Sequence, residues 1–277
     1  MEENQNIVEM NDLWEIMVRC YYQVWVSKKN DEYKKPIGFG SGFMFTMDGH
    51  LYYITADHVV NTSNEEFKLD PNIDYTASIP TNVIDQAKLL AEQVAFNINP
   101  EDQVNILRIQ DDGTPVLDGR VDVFYQNLDN HLHTKFITQG LQFSEEDIRY
   151  KGLQKVMVSV DNILQDKDMS HTFSVFGMVK CDIDKNGITI IGTSVMHMGM
   201  TFKEEKYGQY CLQVSRTDEH LDSSYWDGLS GAAVFDEVTG NVIGVALRYS
   251  ATDYYLWVLP IYQVKAFVAA DIDIRKK

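Results

Sequence analysis

Leu51-Tyr52-Tyr53-Ile54-Thr55-Ala56-Asp57-His58, near the start of the chain, and Gly228-Leu229-Ser230-Gly231-Ala232-Ala233-Val234-Phe235, near its end, decide how this sequence is read. In the first, a run of β-formers leads to a histidine. In the second, a glycine-flanked serine opens such a run, so both polar residues fall at strand ends. Serine is a poor nucleophile at neutral pH. It needs a base within hydrogen-bond reach and a third group to orient that base. A histidine and a serine so placed are the parts of a hydrolytic nucleophile.

Working outward from these strings, short β-rich runs dominate. They fall at 21–27, 37–46, 51–55, 104–110 and 121–125 in the first half. In the second half they fall at 155–160, 172–181, 188–198, 209–215, 232–235, 242–249 and 254–260. Strands at such even spacing predict an all-β sandwich or barrel. Asp48-Gly49 and Asn186-Gly187 each separate two runs and predict tight hairpins, and Thr239-Gly240-Asn241 is a weaker signal of the same kind. Apolar residues at three-to-four spacing predict helices over 11–19, 81–96 and 261–270, the middle one a short inserted helix. The stretch 128–151 is polar and aperiodic and is expected to connect two β-units.

The chain has 277 residues with 44% hydrophobic content, ample for a packed core. Its 41 acidic against 24 basic residues give a formal charge of −17. That charge opposes phosphate backbones and anionic membranes, and Lys28, Lys29, Lys34 and Lys35 are interrupted by Asp31 and Glu32. No nucleic-acid or membrane partner is therefore expected. Residues 1–6 carry neither a basic nor an apolar leader segment, and no later run reaches a membrane-spanning length. The three cysteines, Cys20, Cys181 and Cys211, have no Cys-x-x-Cys spacing. They read as buried free thiols, which suits a reducing cytoplasm. His131 and His133 alternate on the polar connector with no third ligand, so no metal site and no cofactor are expected.

Four segments together resemble the trypsin-like serine proteases of chymotrypsin fold. Gly40-Ser41-Gly42-Phe43, leading through a hairpin to Ile54-Thr55-Ala56-Asp57-His58-Val59-Val60, is similar to their histidine region. Val121-Asp122-Val123-Phe124-Tyr125-Gln126-Asn127-Leu128 resembles their aspartate segment, and Gly228-Leu229-Ser230-Gly231 their nucleophile loop. Gly240-Asn241-Val242-Ile243-Gly244-Val245 is similar to the strand bordering the specificity pocket. The order His, Asp, Ser is the family's, over roughly residues 20 to 270. Asp118 and Asp129 lie near Asp122, but only Asp122 is flanked by Val121 and Val123 in the expected pattern.

The resemblance implies two antiparallel six-stranded β-barrels. Residues 1–19 form an N-terminal extension, 20–127 the barrel with His58 and Asp122, 128–151 the connector, and 152–277 the barrel with Ser230 and a C-terminal helix. It implies an intracellular endopeptidase acting on protein or peptide substrates. Ser230 attacks a carbonyl carbon, His58 relays its proton, and Asp122 fixes the imidazole tautomer. The amides of Gly228 and Ser230 form the oxyanion hole. Ser224, Leu247, Arg248 and Tyr249 border the substrate. An alternative is a catalytically silent domain that binds a peptide in the same cleft.

Departures from the family sharpen the expectations. Leu229 stands where secreted members carry the aspartate that pairs with a newly cut N-terminus, so proteolytic activation is not expected. Leu247-Arg248-Tyr249 replaces a small hydroxyl residue, an aromatic and a glycine, which predicts a shallow or reshaped primary pocket. Near Ser223-Ser224-Tyr225 no aspartate is clearly positioned to bind a basic side chain, with Asp222 and Asp227 as the exceptions to consider. Restraint by a regulatory protein partner, a mobile loop or narrow specificity is expected, with 62–103 and 128–151 as the segments involved.

Overall fold

In the computed structural model Asp48 and Gly49 form the anticipated two-residue turn, with φ of 52° and 80°. Positive φ at both positions matches the twist of antiparallel strands. The turn joins β2 (Gly38–Met47) to β3 (His50–Thr55), in register from Met47 opposite His50 to Gly42 opposite Thr55. The structure describes residues 10–28, 38–60, 75–80, 93–98, 105–109, 115–129, 157–160, 163, 168–183, 190–215 and 223–276.

Around this hairpin the N-terminal half forms a curled seven-stranded sheet. Its other members are β1 (Tyr22–Lys28), β4 (Tyr75–Pro80), β5 (Gln93–Ile98), β8 (Phe124–Asn127) and β9 (Val158–Ser159). The order is β5-β4-β1-β2-β3-β8, and β9, although it follows the connector, adds in parallel to β2. Among the described residues this sheet is a half-barrel, not a closed six-stranded one. β6 (Asn105–Ile109) and β7 (Pro115–Arg120) pair separately as a two-stranded ribbon.

The C-terminal half closes completely. β10 (Thr172–Ile183), β11 (Ile190–Lys206), β12 (Gln209–Gln213), β13 (Ala233–Asp236), β14 (Val242–Ser250) and β15 (Tyr255–Pro260) form a barrel in the order β10-β11-β12-β15-β14-β13. Its interior is filled by Phe173, Val175, Leu212, Val234, Leu256 and Val258 among others. The whole is the all-β, chymotrypsin-like arrangement of one closed and one curled barrel. Asn186-Gly187 lies outside the described residues, but the strands on either side pair up to Ile183 opposite Ile190. A second tight turn, Tyr207-Gly208 with φ of 55° and 71°, joins β11 to β12.

The helices follow the expectation at both ends of the chain and depart from it in the middle. α1 (Met10–Cys20) buries Leu13 and Met17 in the core shared by the two halves. The helix anticipated over 81–96 is overturned at its C-terminal end, because Gln93–Ile98 is a strand registered against β4 from Pro80 opposite Gln93; the remainder lies outside the described residues. Pairing across the sheet overrides a local spacing that mimics a helix. α2 (Asp57–Val60) is a single turn after β3.

α3 (Ile261–Arg275) buries Val264, Val268 and Ile272. It also reaches the other half, since the Tyr52 hydroxyl on β3 donates to Asp271 Oδ2 at 2.8 Å, and Arg275 Nε donates to the same oxygen at 2.5 Å. Among the described residues no helix is long and apolar enough to cross a membrane.

Tyr52→Phe deletes one hydroxyl and leaves the ring packed. It should lower the unfolding free energy by about 0.5–1.5 kcal/mol. A shifted urea midpoint with an unchanged slope reports that loss; an unchanged midpoint shows that the helix-to-sheet bond contributes nothing.

Candidate active site

His58 is delivered by β3 and the turn that follows it. After Thr55 the chain leaves the sheet and winds into α2, closed by the Val59 amide donating to the Ala56 carbonyl at 3.2 Å. Asp122 arrives from the neighbouring strand. Thr55 lies opposite Phe124 in the β3–β8 ladder, so the same register carries the chain before Phe124 past the chain after Thr55. Asp122 was expected within a strand but stands in a bend just before β8. The Val123 amide donates to the Val121 carbonyl at 2.8 Å, a turn that buries both valines and leaves the carboxylate between them facing His58.

The contact is two-pronged. His58 Nδ1 lies 2.9 Å from Asp122 Oδ2 and 3.0 Å from Oδ1, and the His58 amide donates to Oδ1 at 3.1 Å. An ionised carboxylate only accepts, so Nδ1 carries a proton, and in the singly protonated ring Nε2 is the acceptor. Burial pushes the Asp122 carboxyl up, but hydrogen bonds from the His58 ring, its charge, and the amides of His58 and Asp57 outweigh burial and hold it below its ordinary range. Asp129, the nearby alternative, is engaged elsewhere. It accepts from His50 Nδ1 at 2.6 Å and from the Leu51 amide at 2.9 Å.

Ser230 comes from the loop that enters β13 and is held against the first sheet. The Ser41 amide donates to the Ser230 carbonyl at 3.0 Å, and the Ser41 hydroxyl donates to the Gly228 carbonyl at 2.5 Å. Gly231 has φ of +90°, and a β-carbon there would collide with Ser41 O and Thr55 Oγ1 and lie 2.9 Å from the Ala56 nitrogen. Only glycine permits that approach. It sets Ser230 beside the segment that carries His58. Gly228, with φ of +106°, faces a similar limit, since a β-carbon would lie 2.5 Å from the Met178 carbonyl.

The hydroxyl and amides of this loop have distinct partners. Ser230 Oγ donates to the Leu247 carbonyl at 2.8 Å; among the described residues it makes no hydrogen bond with His58. The amides of Gly228 and Ser230 donate to no protein acceptor among the described residues. Among the described residues no three His, Cys, Asp or Glu side chains gather as metal ligands.

The residues anticipated around the substrate divide. Ser224 sits half-buried in a 3-10 turn (Ser223–Tyr225), and Leu247 is buried. Arg248 is exposed, with its guanidinium 5.2 Å from the Trp257 ring centre. Tyr249 is stacked on Trp226 at 4.4 Å between ring centres, and Trp226 is stacked in turn on His197 at 3.8 Å. The sequence reading does not single out Trp226 or His197. Trp226 had one available signal, an aromatic residue inside the loop that precedes the serine. His131 and His133 lie outside the described residues, as do all connector positions from 130 to 151. Cys20 and Cys211 are buried and in no disulfide, and the Cys181 side chain lies outside the described residues.

No family model and no curated protein matches the chain. Solved structures do match, at low identity. A serine endoprotease from Yersinia pestis is 11% identical over 95% of this chain and 66% of its own length, with a TM-score of 0.47. The inactive form of Rv3671c from M. tuberculosis H37Rv, a serine-to-alanine mutant, is 13% identical over 94% and 90%, at 0.42. A scabies mite inactivated protease paralogue is 12% identical over 92% and 94%, at 0.45. The Yersinia protein is therefore about half as long again as the part this chain spans.

The His58–Asp122 contact has a pH signature. The folded state favours ionised Asp122, so its contribution to stability is present above the ordinary carboxyl value of 3.8 and is lost as pH falls through the lowered native value. Wild type should be more stable than Asp122→Asn at neutral pH and lose that margin between about pH 5 and pH 2. Urea midpoints of both proteins across this range measure it. A margin that does not change with pH contradicts the assignment.

Proposed function

We propose that the chain is a serine endopeptidase of the trypsin-like type, acting inside the cell on protein or peptide substrates. One observation carries the reading. A histidine whose Nδ1 is committed to a carboxylate, leaving Nε2 proton-free, lies on the segment against which the glycine after Ser230 is packed. Cys20 and Cys211 are buried thiols rather than halves of a disulfide, which is in keeping with a reducing compartment.

The chemistry follows from the atoms. Ser230 Oγ turns from the Leu247 carbonyl toward His58 and attacks the carbonyl carbon of the scissile bond, while Nε2 takes its proton. The C=O π pair moves onto oxygen, which the amides of Gly228 and Ser230 receive. Collapse of the tetrahedral species breaks the C–N bond, and the leaving amine takes the proton from Nε2. Water then attacks the acyl-enzyme by the same route, giving its proton to Nε2, and Ser230 leaves with that proton restored. Asp122 remains ionised throughout and holds the ring.

A second reading, a silent peptide-binding domain, is favoured by the Ser230 hydroxyl resting on Leu247 O instead of on His58. Hydrolysis of a peptide library separates the two. The endopeptidase reading expects cleavage that falls by about 10⁴–10⁶-fold in Ser230→Ala and by about 10⁴-fold in Asp122→Asn. Binding of library peptides without cleavage by the wild type supports the silent domain and overturns the enzyme.

A further inference from the structure

The loop before Ser230 lies along β14 and touches it at successive points. The Gly231 amide donates to the Ala246 carbonyl at 2.7 Å, Ser230 Oγ to the Leu247 carbonyl at 2.8 Å, and the Trp226 ring stacks on the Tyr249 ring with an interplanar angle of 12°. Both segments are bonded at the nucleophile itself, β14 through Ser230 Oγ and the Gly231 amide and the loop through the Leu229 amide to the Trp226 carbonyl, so a substrate side chain next to the attacked carbonyl must fit against them. The rings that face each other across them are already in van der Waals contact, 4.4 Å apart between centres. A third ring inserted there needs a separation of about 7–8 Å.

Trp226 is not free to swing aside cheaply. It is 5% exposed, its other face is covered by His197 at 7° between planes, and His197 is itself fixed by Nε2 donating to the Tyr225 carbonyl at 2.9 Å. The loop is wound tightly around it. Trp226 and Asp227 both donate to the Ser223 carbonyl, at 2.8 and 3.1 Å, and Leu229 donates to the Trp226 carbonyl at 3.1 Å. On the neighbouring residue, Lys180 Nζ lies over the Tyr225 ring, 3.6 Å from its centre.

We infer that Trp226, held between His197 and Tyr249, closes the side-chain subsite next to Ser230, so that the site accepts glycine, alanine or serine on the acyl side of the scissile bond and rejects aromatic and long basic residues. This rests on the proteolytic reading above and names its substrate class. Trp226 is the specificity-determining residue, and Tyr249 is its counter-wall.

A matched peptide series with alanine, phenylalanine or lysine at that acyl-side position tests it, with kcat/KM measured for wild type, Trp226→Ala and Tyr249→Ser. Wild type should favour alanine over phenylalanine by roughly 10–200-fold, the discrimination a shaped apolar pocket supplies. Either variant should narrow that ratio by at least about tenfold while its circular dichroism stays that of the wild type. The wild-type ratio decides the matter even where a variant fails to fold. Equal or greater cleavage of the phenylalanine or lysine peptide by the wild type overturns this inference and leaves the proteolytic reading standing. Silence toward the whole series, by wild type and both variants, overturns both.

Discussion

The site depends on one close approach. Gly231 packs its backbone against Ser41 O, Thr55 Oγ1 and the Ala56 nitrogen, where no β-carbon could fit, and Ser41 holds the carbonyls of Ser230 and Gly228 with its own amide and hydroxyl. Thr55 Oγ1 closes the arrangement by donating to the Ser41 carbonyl at 2.7 Å. These bonds join the closed barrel to the curled sheet at the point where the serine leaves one and the histidine leaves the other. Their weight lies in position more than in energy, since each contributes about 0.5–1.5 kcal/mol. A shift of about 1 Å at this joint would misalign any reaction between the two halves.

A histidine beside an aspartate is not by itself a site in this molecule. His50 pairs with Asp129 at 2.6 Å, where Asp129 also accepts the Leu51 amide and the Asn127 side chain and so fastens the end of β8 to the start of β3. His171 pairs with the buried Asp236 at 2.8 Å, whose other oxygen accepts the amides of Val238 and Thr239 and shapes the turn into β14. Both pairs serve turns. His58–Asp122 differs in its surroundings, because Gly231, the residue after Ser230, packs against Thr55 and Ala56 just ahead of His58, and the proposed function rests on that neighbourhood.

Much of this was legible in the sequence, and the limits have physical causes. Asp48-Gly49 and the β-rich runs on either side of it read directly as β2 and β3, because turn chemistry and β-propensity are local properties. Asp122 was separable from Asp129 by its flanking valines, although the bend that carries it reads as strand. The segment 93–98 misled because its apolar spacing, taken together with residues 81–92, fits a helix; what decides its state is pairing with β4, which is non-local. The stack of His197, Trp226 and Tyr249 was invisible for the same reason, as its rings come from β11, the nucleophile loop and β14. Leu247 was read as the loss of a hydroxyl donor; its backbone carbonyl turns out to be the acceptor for Ser230.

The central claim is that Ser230 is an activated nucleophile. Its most direct measurement is covalent capture by a fluorophosphonate carrying no peptide portion, followed by mass mapping of the adduct. The account predicts a single adduct on Ser230 in the wild type, formed more slowly at low pH than at neutral pH and lost in His58→Ala. A folded wild type that takes up no label on Ser230, or one labelled equally fast without His58, would contradict it.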